Sequence, residues 1–295
     1  MNILVIGGNG FVGKHLVKHL VVRKHNVRVL DLNKTTYSTI DIQKKVDQII
    51  GDYSSKVSLE KAIKKIDIVY HLAGLSDLND TLRKPAETAE KNIIGTIKIL
   101  QACVKFKVKR FIFASTIYVN SSQGGFYKCS KIAAESYIRE FSKLYGLKFT
   151  ILRYGSIYGP GADASNGVYR LIKKALNNKF VDYEGDPDTI REYVHVEDVA
   201  RASIEVIKKD YINQHINISG LNSIKIDDFI KIILETLNVK KKILYKKKKQ
   251  IGHYVRTPYS FEDNLGIKLN IPLSIDFGQG ILQMINQLKK DGEKN

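Results

Sequence analysis

Ile3-Leu4-Val5-Ile6-Gly7-Gly8-Asn9-Gly10-Phe11-Val12-Gly13 is the stretch whose reading decides the fold. Its apolar opening fits a short strand buried on both faces of a parallel sheet. Lys14 to Val21 then repeats its apolar residues at the helical period. A glycine turn between strand and helix lets backbone approach a pyrophosphate, and the N-terminus of the helix stabilises the charge. Gly7, Gly10, Phe11, Val12 and Gly13 are therefore expected to line a dinucleotide. Val27-Arg28-Val29-Leu30 reads as a second strand ending in Asp31, eighteen residues beyond Gly13. An acid there binds ribose hydroxyls and repels a 2′-phosphate, so the expected cofactor is NAD and not NADP.

The pattern continues outward from this unit. Val46 to Ile50 reads as a third strand closed by Gly51-Asp52-Tyr53, with Asp52 placed for an adenine contact and Tyr53 beside it. A helix over 55–65 leads to a fourth strand, Ile68 to Gly74, whose small end (Leu72, Ala73, Gly74) lies where open parallel sheets bind ligands. His71 belongs to the body of that strand and reads as a packed structural histidine. A helical stretch after Pro85 contains Lys91-Asn92-Ile93-Ile94-Gly95-Thr96, and Phe111 to Ala114 is a fifth strand that delivers Ser115 and Thr116 to the same edge. Either hydroxyl has the chemistry to bind a substrate alcohol and relay its proton.

Tyr127 and Lys131 come next, four residues apart on one helix face. An ammonium beside a phenol favours the phenolate and is expected to lower a pKa that is ordinarily about 10, making Tyr127 a general base. The spacing alone also fits a solvated helix face; the flanking elements decide between the two. Lys148 to Arg153 is a sixth strand. Regular alternation of strand and helix predicts an α/β fold with a doubly wound parallel sheet.

A chain of 295 residues with 43% hydrophobic and 26% charged residues fits one large α/β domain carrying a smaller lobe. The expected division is a cofactor domain over 1–160 and, over 161–295, a substrate lobe interleaved with the main sheet. Expected elements of the lobe are helices over 168–177, 196–208, 226–237 and 277–289 and strands over 191–195 and 215–218. No apolar run approaches the roughly 20 residues that cross a bilayer, and the N-terminus reads as a strand with no signal-peptide n-region. Cys103 and Cys129 are the only cysteines, too few for a disulfide framework or a metal site, which points to a reducing, cytoplasmic setting. The net charge of +18 is scattered except for the block Lys240 to Lys249, which reads as a solvated strand edge or loop. No nucleic-acid module accompanies the charge, so nucleic acid is not an expected partner.

Taken together, these residues resemble the extended short-chain dehydrogenase/reductase family, in particular its nucleotide-sugar epimerase and dehydratase branch. Gly7, Gly10 and Gly13 look like its cofactor loop, His71-Leu72-Ala73-Gly74 like its cofactor-bearing strand end, and Lys91 to Thr96 like its Asn-Val-x-Gly-Thr signature, which puts Asn92 among the cofactor residues. Tyr127 and Lys131 correspond to its catalytic pair, with Thr116 at the usual Ser/Thr position and Ser115 just before it. Leu152 to Gly161 resembles the loop between cofactor and sugar, which brings in Tyr154 and Ser156. Arg191 to Ala200 resembles the segment whose arginine binds the nucleotide diphosphate; a surface salt bridge from Arg191 to Glu192 or Asp198 is the alternative.

The resemblance implies a homodimer that binds NAD and a nucleotide-diphosphate sugar and oxidises the sugar at C4. Lys131 would hold the nicotinamide ribose, Tyr127 would take the hydroxyl proton, and Thr116 would align the hydroxyl. A 4-epimerase is the leading expectation, net C4 oxidation or reduction the next, and a non-catalytic NAD-binding scaffold a third. Dehydration is disfavoured: the branch's dehydratases follow the threonine with acids, whereas Ile117 and Tyr118 follow Thr116 here. Only eleven positions separate Thr116 from Tyr127, and the short bridge Ser121 to Gly125 predicts an open pocket for a larger sugar.

Overall fold

The computed structural model describes residues 1–37, 40–220 and 223–246. Strands β1 (Asn2–Ile6), β2 (Asn26–Asp31), β3 (Val46–Ile50), β4 (Ile68–His71), β5 (Arg110–Thr116) and β6 (Lys148–Tyr154) follow the expected series. Between them lie helices α1 (Phe11–Val22), α2 (Ile40–Lys45), α3 (Lys56–Ile63), α4 (Leu78–Arg83), α5 (Pro85–Ala89), α6 (Gly95–Lys105) and α7 (Gly125–Tyr145). Then come β7 (Ser156–Tyr158), α8 (Gly167–Asn177), β8 (Phe180–Glu184), β9 (Ile190–His195), α9 (Val196–Glu205), β10 (Gln214–Ile218), β11 (Ser223–Lys225), α10 (Ile226–Thr236) and β12 (Lys242–Lys246).

Seven strands form one sheet in the order β10-β6-β5-β4-β1-β2-β3, and every neighbouring pair is parallel. The order reverses direction between β1 and β4, the switch point at which doubly wound sheets open a crevice for ligands. Alternate side chains of a strand point to opposite faces, and β1 divides accordingly. Leu4 and Ile6 join the core beneath α3, α6 and α7 with Phe111, Phe113, Ile99 and Ile138, while Ile3 and Val5 pack with Leu16, Val17, Leu20 and Val199 of α1 and α9. Both faces being covered explains why these strands are apolar without alternation.

The last third returns to the main sheet through β10, which pairs with β6. The remaining strands are short: β7, β8 and β11 escape the sequence reading because they are three to five residues long with at most one buried position, while β12 falls in the lysine block read as a strand edge or loop. They form a β11-β9-β7 sheet and a β12-β8 pair, over a small core of Leu171, Ala175, Val181, Ile226, Ile230 and Leu234. The lysine block supplies β12: Lys242 and Lys246 are exposed while Ile243, Leu244 and Tyr245 are half-buried. Lys247 to Lys249 and the expected helix over 277–289 lie outside the described residues. No helix among the described residues is long and apolar enough to cross a membrane.

Candidate active site

The glycine turn is built for close approach. Gly7 adopts φ +82°, and a Cβ on Gly13 would stand 2.2 Å from the Gly7 carbonyl oxygen. Helix α1 starts at Gly10 with no side-chain cap, so its first-turn N–H groups are left for a ligand. Asp31 at the end of β2 accepts a hydrogen bond from the Asn9 backbone N–H at 2.9 Å. Gly7, Gly10, Phe11, Val12, Gly13, Asp31, Asp52, Tyr53, Leu72, Ala73 and Gly74 all line one cavity of about 660 Å3 that also reaches Ser115, Thr116, Tyr127, Lys131 and Tyr154. The carboxylate of Asp52 in this wall accepts from the Lys91 ammonium at 2.9 Å. Glycine backbone, an uncapped helix end and an acid beyond the turn fit the diphosphate and ribose of a dinucleotide. No group of three or more candidate metal ligands occurs among the described residues.

A second cavity of about 880 Å3 opens beside the first and is lined by Ser156, Arg191, Arg83, Arg170, Lys174 and Tyr193, among others. Tyr127, Tyr118, Ser76, Asp77, Ile157, Ser165 and Asn166 line both. Arg191 is buried at 7% exposure and forms part of this wall, while Asp198 pairs with Arg201. The loop 159–166 over the junction is anchored to α1: His15 faces Glu197 through Nδ1 at 2.9 Å and the Pro160 carbonyl through Nε2 at 2.8 Å. Glu197 also meets His19 and Lys18. Burial alone would raise its carboxyl, but bonds from His19, His15 and Lys18 prevail and hold it at about 2.

Tyr127 stands at the junction with the Thr116 hydroxyl beside its phenol. The Lys131 ammonium donates to the Ala114 carbonyl at 2.9 Å and lies 4.6 Å from the Phe113 ring centre and 5.7 Å from that of Tyr127. The expected lowering of the Tyr127 pKa is not found in this ligand-free site. Burial pushes the phenol up to about 12, with Thr116 opposing, and burial pulls Lys131 down to about 8. The cause is desolvation, which penalises phenolate and ammonium alike and which residue spacing does not record.

Two further expectations are corrected. Ser115 reaches the cavity wall but its hydroxyl donates to Glu135 Oε1 at 2.6 Å, so its proton is committed to Glu135 and Thr116 is the hydroxyl beside Tyr127. Asn92 lines neither cavity. It sits in a single π-helical turn, Glu90–Ile94, and its amide accepts from Leu75 N–H and donates to the Leu75 carbonyl and Ser130 Oγ at 2.8, 2.9 and 3.0 Å. It therefore fixes the loop after β4 and does not itself face the ligand. Tyr154 lines the cavity but its hydroxyl is paired with Ser203 at 2.8 Å. His71 is buried, bonded to Thr96 at 3.1 Å, and held neutral at about 3 by burial and by Lys131, as expected of a structural histidine.

Sequence reading missed Ser76, Asp77, Tyr118 and the segment Asp163 to Asn166 in the walls. Asp77 offers one signal, since it caps α4 by accepting from the backbone N–H groups of Asn79 and Asp80 and so sits just beyond the ligand-bearing end of β4.

Comparison with known proteins gives the following. A family described as the NAD dependent epimerase/dehydratase family matches residues 3–219. A putative UDP-glucose 4-epimerase of Methanocaldococcus jannaschii is 28% identical over 309 aligned positions, covering 98% of this chain and 99% of that protein. The structure of a UDP-glucose 4-epimerase of Thermotoga maritima with UDP-glucose is 29% identical and superposes with a TM-score of 0.78 over 89% of this chain and 90% of its own. That of a UDP-glucuronic acid 4-epimerase of Bacillus cereus, in complex with UDP-glucuronic acid and NAD, is 26% identical with a TM-score of 0.78 over 89% and 90% of the two chains.

Proposed function

This chain belongs to the NAD dependent epimerase/dehydratase family, and on that premise we propose that it is an NAD-dependent nucleotide-sugar 4-epimerase. The observation that carries the reading is the position of Tyr127: it lines both cavities, beside Thr116 and Lys131. A sugar hydroxyl at that junction has a base on one side and the dinucleotide cavity on the other.

The Gly7-Gly10-Gly13 turn and the first turn of α1 would hold the diphosphate of NAD, Asp31 its adenosine ribose and Lys131 its nicotinamide ribose. NAD, when bound, supplies the acceptor and returning donor of the hydride. Tyr127 Oη takes the C4 hydroxyl proton and gives it back, and Thr116 Oγ1 aligns the same hydroxyl. Arg191 binds the nucleotide diphosphate through its planar guanidinium. Ser156, in the wall of the same cavity, contacts the sugar nucleotide. Dehydration finds no support at Ile117, which is apolar and buried at 3% exposure, so no acid follows Thr116.

Residues 1–160 form the cofactor half and 161–295 the substrate half of this scheme, with β10 belonging to the main sheet. The short Ser121 to Gly125 bridge leaves room for a sugar bulkier than a plain hexose. A homodimer is supported by a mostly apolar exposed stripe along α7 that includes Phe126, Tyr137 and Leu144, and light scattering reports it as twice 33.4 kDa. Two free thiols, Cys103 and Cys129, support a cytoplasmic setting.

The test incubates the purified protein and NAD with UDP-glucose, a UDP-N-acetylhexosamine and UDP-glucuronic acid, following both the C4 epimer and the reduced cofactor. Epimer forming without accumulation of NADH supports the proposal; NADH accumulating with each sugar consumed replaces it with net C4 oxidation. Asp31→Asn is expected to erode the preference for NAD over NADP by about tenfold, since one charge repelling the 2′-phosphate is lost; competition between the two cofactors in a binding titration measures this.

A further inference from the structure

Helix α7 touches the end of β5 at three successive turns. Tyr127 lies beside Thr116, Lys131 donates to the Ala114 carbonyl, and Glu135 accepts from Ser115 Oγ at 2.6 Å. The three helical residues are four apart and share one face, so Glu135 continues the line set by the working pair. It is buried at 3% exposure, where a lone carboxylate is costly. Arg153 of β6 compensates it, donating through Nε to Oε1 at 3.1 Å and through Nη2 to Oε2 at 2.7 Å. The remaining guanidinium nitrogen, Nη1, donates to Asn120 Oδ1 at 3.2 Å, just ahead of the substrate-facing bridge.

We propose that Glu135 is a positioning residue of the active site: clamped by Arg153 and Ser115, it fixes the strand end that carries Thr116 and supplies the negative charge that keeps Lys131 cationic beside Tyr127. The proposal rests on the reading of Tyr127 and Lys131 as the working pair. The charged and titratable neighbours leave this role to Glu135. Around Lys131 are the Phe113 and Tyr127 rings and the Ala114 carbonyl, with Glu135 one turn on along its own helix and His71, which is neutral, on β4. Glu135 in turn meets Arg153, then Arg139 and His215 at 3.9 Å each. Burial lowers Lys131 and the Glu135 charge is the influence that opposes it, as a carboxylate near an ammonium must.

Glu135→Gln keeps the shape and removes the charge. The experiment titrates Lys131 in the cofactor-free full chain by NMR of isotopically labelled lysine side chains, assigned with Lys131→Met, and records the pH profile of kcat separately. The expected result is a Lys131 titration about one pH unit lower in Glu135→Gln, with the alkaline limb of kcat moving down in parallel as the ammonium is lost earlier. Because Glu135→Gln leaves Arg153 buried without its partner, Glu135→Gln/Arg153→Gln is measured beside it. That pair restores charge balance and is expected to fold while keeping the lowered Lys131 titration. A folded variant in which Lys131 titrates as in the wild type overturns the proposal, whatever happens to stability. The titration needs no substrate, so a failure to turn over any nucleotide sugar would count against the enzymatic reading and leave this result standing.

Discussion

Tyr127→Phe is expected to lower turnover by about 10²- to 10⁴-fold, the usual contribution of a positioned general base, while NAD still binds. The ring remains to fill its place against Tyr118, whose ring centre is 6.5 Å away, and only the hydroxyl beside Thr116 is lost. Thr116 has no strong base of its own, and Lys131 is engaged with the Ala114 carbonyl. Asp77 also lines both cavities, but its Oδ1 is engaged in accepting from the backbone N–H groups of Asn79 and Asp80. Because burial holds the phenol at about 12, the proton rests on Tyr127 near neutral pH, and the wild-type rate should climb with pH on the acid side while the variant's residual rate stays flat. Steady-state rates across pH, with NAD affinity by calorimetry, check both halves. Full turnover by Tyr127→Phe would remove Tyr127 from the mechanism.

Gly13→Ala should abolish most dinucleotide affinity. The added methyl would stand 2.2 Å from the Gly7 carbonyl oxygen and 2.7 Å from Gly8 Cα, and both are backbone atoms that cannot swing aside. The turn must spread. Overpacking of this kind costs about 1–3 kcal/mol, which is about a ten- to hundredfold loss of affinity if the ligand-bearing geometry carries it. For the fold alone Gly10→Ala is milder: its nearest approach is 3.3 Å, again to the Gly7 carbonyl, so its melting temperature should fall less than that of Gly13→Ala. NAD titration of Gly13→Ala against the wild type measures the loss, and an unchanged affinity would mean that the turn does not carry the cofactor.

Six strands of the main sheet were legible, most plainly where burial on both faces leaves an apolar run that needs no partner to be recognised, as in Ile3 to Ile6 or Phe111 to Ala114; the seventh, β10, has a single buried position and was expected in the lobe. The short strands of the lobe lack that mark. Ser156–Tyr158 and Ser223–Lys225 are three residues each, with no fully buried position, and their pairing depends on distant segments. In the site, glycine spacing and the Tyr127–Lys131 interval are local and could be read directly. The choice between Ser115 and Thr116 was also within reach, since adjacent strand residues point to opposite faces, although which face carries the ligand is settled only once α7 is packed. Protonation of Tyr127 and Lys131 was out of reach. It depends on how much water the surrounding elements exclude, and spacing along one helix carries no record of that. The same holds for Asn92, whose signature was recognised but whose amide turns to Leu75 and Ser130 because of the π-helical turn around it.

The central claim is that hydride leaves C4 and returns to the same carbon within one turnover. Its most direct test is a UDP-sugar carrying deuterium at C4, incubated with the enzyme and NAD in ordinary water and examined by NMR and mass spectrometry. The account predicts a product epimer that retains deuterium at C4, with no build-up of reduced cofactor. Loss of the label to solvent, or its accumulation in released NADH, would contradict it.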